Sequence, residues 1–84
     1  MREIDGDIAG RVQAAVGEIA GRDRGLILPT QELEKDLGID SLEFVRLVQI
    51  VEDDTGALLK DEDLAGVVTV GDLIRQVEAA LRGS

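Results

Sequence analysis

The sequence predicts an all-α fold, a four-helix bundle of three longer helices and one short one, with a long loop after the first helix. Apolar residues recur at helical spacing in three separate stretches. Helix-starting and helix-stopping residues bracket those stretches. The available core is aliphatic, with 11 Leu, 7 Ile and 9 Val beside one Phe and no Tyr or Trp. Such a set suits packed helices better than a sandwich. Eighty-four residues allow one domain, 1–84, which buries roughly 60% of the surface its unfolded chain exposes.

The first helix is expected from Glu3 to Ala20, where Ile4, Ile8, Val12, Val16 and Ile19 form a stripe. Gly6, Gly10 and Gly17 weaken its propensity, and Gly21 is a C-terminal stop. Residues 22–40 carry Gly25, Pro29 and Gly38 without sustained periodicity. Leu26, Leu28, Leu33, Leu37 and Ile39 are expected to pin this long loop to the core. Loops of that length in small domains are more often functional than not.

The next helix is the sharpest. Asp40 precedes it and Glu43 follows three residues later, a capping-box pattern. Phe44, Leu47, Val48 and Val51 then share one face, with Phe44 at its centre. Leu42, Arg46, Gln49 and Asp53 point nearly the opposite way, Val45 lies on the flank, and Gly56 ends the helix. Ser41 falls at the first helical position, after a Gly38 that lets the chain turn. Its hydroxyl would stand at the positive end of the helix dipole, a natural place for a phosphate group.

Lys60 to Leu64 are long enough for one or two helical turns. Thr69 and Asp72 form a second cap signature. Val70, Leu73, Ile74, Val77, Ala80 and Leu81 make the last apolar stripe, which closes at Gly83.

Composition removes several kinds of chemistry. There is no Cys, hence no disulfide, thiolate ligand or thiol nucleophile, and no His. Gly38-Ile39-Asp40-Ser41-Leu42 loosely resembles a serine-hydrolase signature, but it lacks the second Gly and any histidine to complete a triad. Asp61, Asp63, Gly66 and Asp72 fall at positions 1, 3, 6 and 12 of a calcium-loop template. However, Ala65 at position 5, Asp at position 12 and the apolar Val67–Val70 run argue against a specific site. No metal site is expected. Nothing approaches a membrane span, and the N-terminus lacks a signal-peptide layout. The expected compartment is the cytoplasm.

The net charge of −9 is concentrated. Residues 31–63 hold eleven acids against Lys35, Arg46 and Lys60, a net of −8, whereas residues 1–30 carry −1 and residues 64–84 balance. Such a field repels nucleic acid and anionic membranes and attracts basic protein surfaces.

Taken together, a long loop, a capped Ser, an acidic helix, a short helix and a final amphipathic helix resemble the acyl carrier protein family. Asp36-Leu37-Gly38-Ile39-Asp40-Ser41-Leu42 matches that family's attachment motif. The likeness continues through Phe44–Asp54 and Asp61–Leu73. It implies an acyl-carrier-like bundle and a freestanding, monomeric, non-catalytic carrier. A 4'-phosphopantetheinyl transferase would attach 4'-phosphopantetheine from coenzyme A to Ser41, beside the cap Asp40. The arm's thiol would hold an acyl or aminoacyl group as a thioester for loading and transferring enzymes. The resemblance also implies a partner-binding surface of Leu42, Val45, Arg46, Gln49, Glu52, Asp53 and Asp61.

Two departures point away from housekeeping fatty-acid synthesis. Arg46 stands where such members usually carry an acid, and Thr55 stands where many carry Phe. Both lean towards a polyketide-type or other secondary-metabolite pathway, as does, more weakly, the excess of 7 Arg over 2 Lys expected from a GC-rich genome. The competing reading is a small acidic helical adaptor with no prosthetic group, in which Ser41 merely starts a helix.

Overall fold

A computed structural model describes residues 3–83, with side chains from Ile8 onward. Four helices are present among them: α1 (Glu3–Ala20), α2 (Ser41–Thr55), α3 (Asp61–Leu64) and α4 (Val70–Gly83). A 3₁₀ turn at Arg24–Leu26 lies against α1. No strand forms among the described residues, so the expected all-helical fold holds. Helix α1 packs on both α2 and α4, while no Cα pair of α2 and α4 comes within 8 Å.

Ile8, Val12, Ala15 and Val16 of α1 are buried against Leu47, Val48 and Val51 of α2 and Val70, Leu73, Ile74 and Val77 of α4. Ile4 lies outside the residues whose side chains are described. At the other end of the α4 stripe, Leu81 is exposed, and Ala80 is half-buried against the core.

The helix ends follow local chemistry. Gly21 takes the left-handed conformation (φ 72°), and the Arg22 N–H bonds back to Gly17 O at 2.8 Å, the pattern of a Schellman stop. That return path explains Gly17: a Cβ there would lie 2.5 Å from Arg22 O. Gly56 (φ 80°) closes α2 through its N–H to Glu52 O. Thr69 and Asp72 cap α4 reciprocally, the Asp72 N–H bonding Thr69 Oγ1 and the Thr69 N–H bonding an Asp72 carboxylate oxygen. Arg11 of α1 donates to Asp54 O at 3.0 Å, setting a cation at the negative end of α2.

The long loop is bonded into the fold, with one change from expectation. Leu33, Leu37 and Ile39 are buried, but Leu26 and Leu28 are 64% and 53% exposed, and Ile27 enters the core instead. Ile27 is extended (φ −93°, ψ 117°), so Leu28 points away from it by the two-residue alternation of extended chain, while Leu26 ends the 3₁₀ turn. Its carbonyl accepts from the Gln13 amide of α1. Further on, the loop is laced to the α3–α4 linker. Leu33 N bonds Val68 O, Val70 N bonds Gln31 O and Gly71 N bonds Pro29 O, all at 2.9–3.0 Å, around a single bridge between Glu32 and Thr69.

Candidate functional site

Gly38 (φ 70°) turns the loop into the start of α2. Asp40 then adopts extended backbone as the N-cap. Its carboxylate accepts the Glu43 N–H, and the Glu43 carboxylate accepts the Asp40 N–H, so both halves of the expected capping box are present. This fixes Ser41 as the first helical residue. Its side chain is exposed and its hydroxyl makes no hydrogen bond among the described residues. Ser41 Oγ is therefore open to solvent and engaged by no neighbour among the described residues, which leaves room for a bulky phosphodiester.

Ser41 lies on the lip of an open cleft of about 640 Å³. Leu33, Ile39, Phe44, Val67 and Val68 give it apolar walls, and Glu32, Glu34, Lys35 and Asp40 bring charge to it. A second groove, of about 410 Å³, runs between α2 and α3. Phe44 lines both. It is half-buried against the core rather than sealed inside it, which corrects its expected place at the centre of the inward face. A helical wheel gives direction, not depth; near the N-terminus of α2 the inward direction opens onto the two clefts.

The other residues singled out from sequence divide between surfaces. Leu42 and Val45 are 73% and 55% exposed, and Arg46, Gln49 and Asp53 are exposed on α2. Val45, Gln49, Glu52 and Asp61 line the α2–α3 groove together; Leu42, Arg46 and Asp53 do not. Glu52 is half-buried, and its carboxylate accepts the Leu59 N–H at 2.8 Å, holding the chain after α2. Sequence reasoning missed Lys35 and Glu34 as cleft residues and Leu58 as an exposed apolar residue at 75%. Phe44 could have been found by its i+3 spacing from Ser41, which puts the two on neighbouring faces.

The residues of the calcium template are engaged elsewhere. Asp61 and Asp63 belong to α3, where the Asp63 carboxylate accepts the Lys60 N–H. Asp72 accepts from the Thr69 and Val68 N–H groups and pairs with Arg75. Those bonds hold its carboxyl below the ordinary carboxylate range, the Thr69 and Val68 N–H groups first, with the Thr69 side chain and Arg75 adding to them and partial burial opposing. No cluster of three or more metal-ligating side chains occurs among the described residues. No helix there is long and apolar enough to cross a membrane.

The fold and site define a small helical bundle that presents an exposed serine at the first position of a capped helix. Comparison with known proteins gives that class its family. Residues 10–77 match the family model described as a phosphopantetheine attachment site. The chain is 39% identical over 70 residues to an acyl carrier protein of an Exiguobacterium species, covering 83% of this chain and 89% of the relative. It is 36% identical over 67 residues to an acyl carrier protein of Helicobacter pylori strain G27, covering 80% and 86%. The chain belongs to the acyl carrier protein family. It is a non-catalytic carrier whose cofactor is covalently attached 4'-phosphopantetheine.

Proposed function

We propose that Ser41 Oγ is the attachment point of the arm and that residues 1–84 form a single, monomeric carrier domain. The observation that carries this reading is the Ser41 hydroxyl itself, exposed and unbonded among the described residues at the first position of a capped helix. The only other serine is Ser84. A phosphodiester anion at that helix terminus gains from the dipole. The external thiol of the arm supplies the thioester chemistry that a chain without cysteine lacks.

The cargo is an acyl or aminoacyl group, passed among cytoplasmic loading and transferring enzymes after a phosphopantetheinyl transferase has installed the arm. The exposed α2 face of Leu42, Val45, Arg46, Gln49 and Asp53, continued by Glu52 and Asp61, receives those enzymes. Two exposed apolar side chains among acids suit a partner that offers an apolar pocket with a basic rim. Arg46 and Thr55 favour a polyketide-type or other secondary-metabolite pathway over bulk fatty-acid synthesis.

Intact mass after incubation with coenzyme A and a promiscuous transferase tests the attachment. The wild-type chain should gain one phosphopantetheinyl group, and Ser41→Ala should gain none while keeping its helical circular dichroism. Modification that persists in Ser41→Ala would overturn the assignment.

A further inference from the structure

The cleft beside Ser41 contains one base, Lys35, among the carboxylates of Glu32, Glu34 and Asp40. Lys35 forms no ion pair or hydrogen bond among the described residues, although four acids lie within five positions of it in sequence. The turn that carries it, by contrast, is hydrogen-bonded on either side of it. Asp36 N and Leu37 N both bond Glu32 O, Gly38 N bonds Glu34 O and Ile39 N bonds Leu33 O, while Leu33 and Leu37 anchor the turn in the core. The turn thus presents an uncommitted ammonium group from a hydrogen-bonded backbone.

An anion on Ser41 needs such a partner. The helix terminus it joins is already partly neutralised, because the Asp40 carboxylate occupies the Glu43 N–H and the Glu43 carboxylate occupies the Asp40 N–H. A phosphodiester placed there meets like charge from Asp40 and from the two glutamates of the cleft. Arg46 lies five residues along α2, about 7.5 Å of helix rise away, and neither it nor Lys60 lines this cleft.

We infer that Lys35 is the counter-ion of the phosphodiester on Ser41, so that the loop, and not α2 alone, holds the root of the arm. This rests on Ser41 being the attachment point. The ammonium offsets the added negative charge and biases the first bonds of the arm towards the cleft wall that Lys35 occupies.

The test compares apo and loaded forms of the wild type, Lys35→Gln and Lys35→Arg, with loading followed by intact mass. At low salt, loading should lower the melting temperature of Lys35→Gln about 2 °C further than that of the wild type. The ³¹P resonance of the loaded Lys35→Gln should also move away from the wild-type position. Lys35→Arg should match the wild type in both readouts. At about 1 M NaCl, where screening acts within ~3 Å, the difference in melting should vanish. Full loading with identical melting shifts and ³¹P positions in wild type and Lys35→Gln would overturn the inference alone. Failure of the wild type to gain mass would overturn the carrier site and this inference with it.

Discussion

Asp40 and Glu43 each hold the other's backbone N–H, at 2.8 Å for the Asp40 carboxylate and 3.2 Å for the Glu43 carboxylate. Ser41 is positioned by this exchange and takes no part in it. The capping bonds and the proposed attachment point thereby fall on adjacent residues. Asp40→Ala should cost about 1 kcal/mol in urea unfolding, and Asp40→Asn much less, because Asn caps nearly as well. Equal losses for the two variants would show that the charge of Asp40, rather than its capping bond, holds the start of α2.

Leu42 and Phe44 should part in the same way. Leu42 is 73% exposed, so Leu42→Ala should change stability by about 0.5 kcal/mol at most, while slowing transferase or loading-enzyme turnover several-fold. Phe44→Ala removes a half-buried ring and should cost about 2–3 kcal/mol, below the range for a fully buried phenylalanine. Leu47, with no exposed surface, sets the upper end of the series in α2, at about 3–4 kcal/mol for Leu47→Ala. Arg46→Glu should alter the choice of partner with little change in melting. A Leu42→Ala variant as unstable as Phe44→Ala would require the outward face of α2 to be redrawn.

The net of −8 in residues 31–63 should make melting sensitive to salt. Like charges repel within a screening length of roughly 10 Å at 0.1 M. Added NaCl should therefore raise the melting temperature, and millimolar Mg²⁺ or Ca²⁺ should raise it further without preference between them. Tight, saturable binding of one Ca²⁺ per chain in a calorimetric titration would contradict this account of the acidic region.

Asp72 should give the opposite dependence on acid. Its carboxyl titrates below the usual 3.8 when folded, so the bonds to Thr69 and Val68 contribute fully while both folded and unfolded states are ionised, above that value. As pH falls through 3.8 the unfolded chain takes up the proton first, and the contribution is gone once the folded carboxyl protonates. Relief of charge repulsion in acid stabilises the wild type and Asp72→Asn alike, so the difference between them isolates the cap. That gap, measured by urea unfolding, should be constant from pH 7 to about 5 and shrink below about 4. A gap that does not change down to pH 3 would mean that ionisation of Asp72 contributes nothing.

Helix ends and helix faces were legible because their causes are local. Asp40, Thr69, Gly21 and Gly56 act on backbone groups within a turn of themselves, and Leu47, Val48 and Val51 share a face by spacing alone. The loop was legible only in part. Leu33, Leu37 and Ile39 pack as their apolarity suggests, but Ile27 replaces Leu26 and Leu28 where the 3₁₀ turn passes into extended chain, and no periodic run announced it. The cleft beside Ser41 was not legible at all. Its walls come from residues 32–35, 39–41, 44 and 67–68, which meet only when the loop folds onto the α3–α4 linker. Lys35 therefore read as one charge among many.

The lacing of that loop to the linker also has a kinetic side. Leu33–Val68, Gln31–Val70 and Pro29–Gly71 join residues more than thirty positions apart, whereas α2 is closed by contacts within single turns. Long-range closures of this kind form late in folding, since the entropy of closing the loop must be met before their contacts form. Amide exchange at Leu33 and Val70, compared with that of the α2 amides, would measure whether the cleft opens separately from the helix. If it does, the α2 face proposed to meet a partner would stay intact through openings that change the surroundings of a group carried on Ser41.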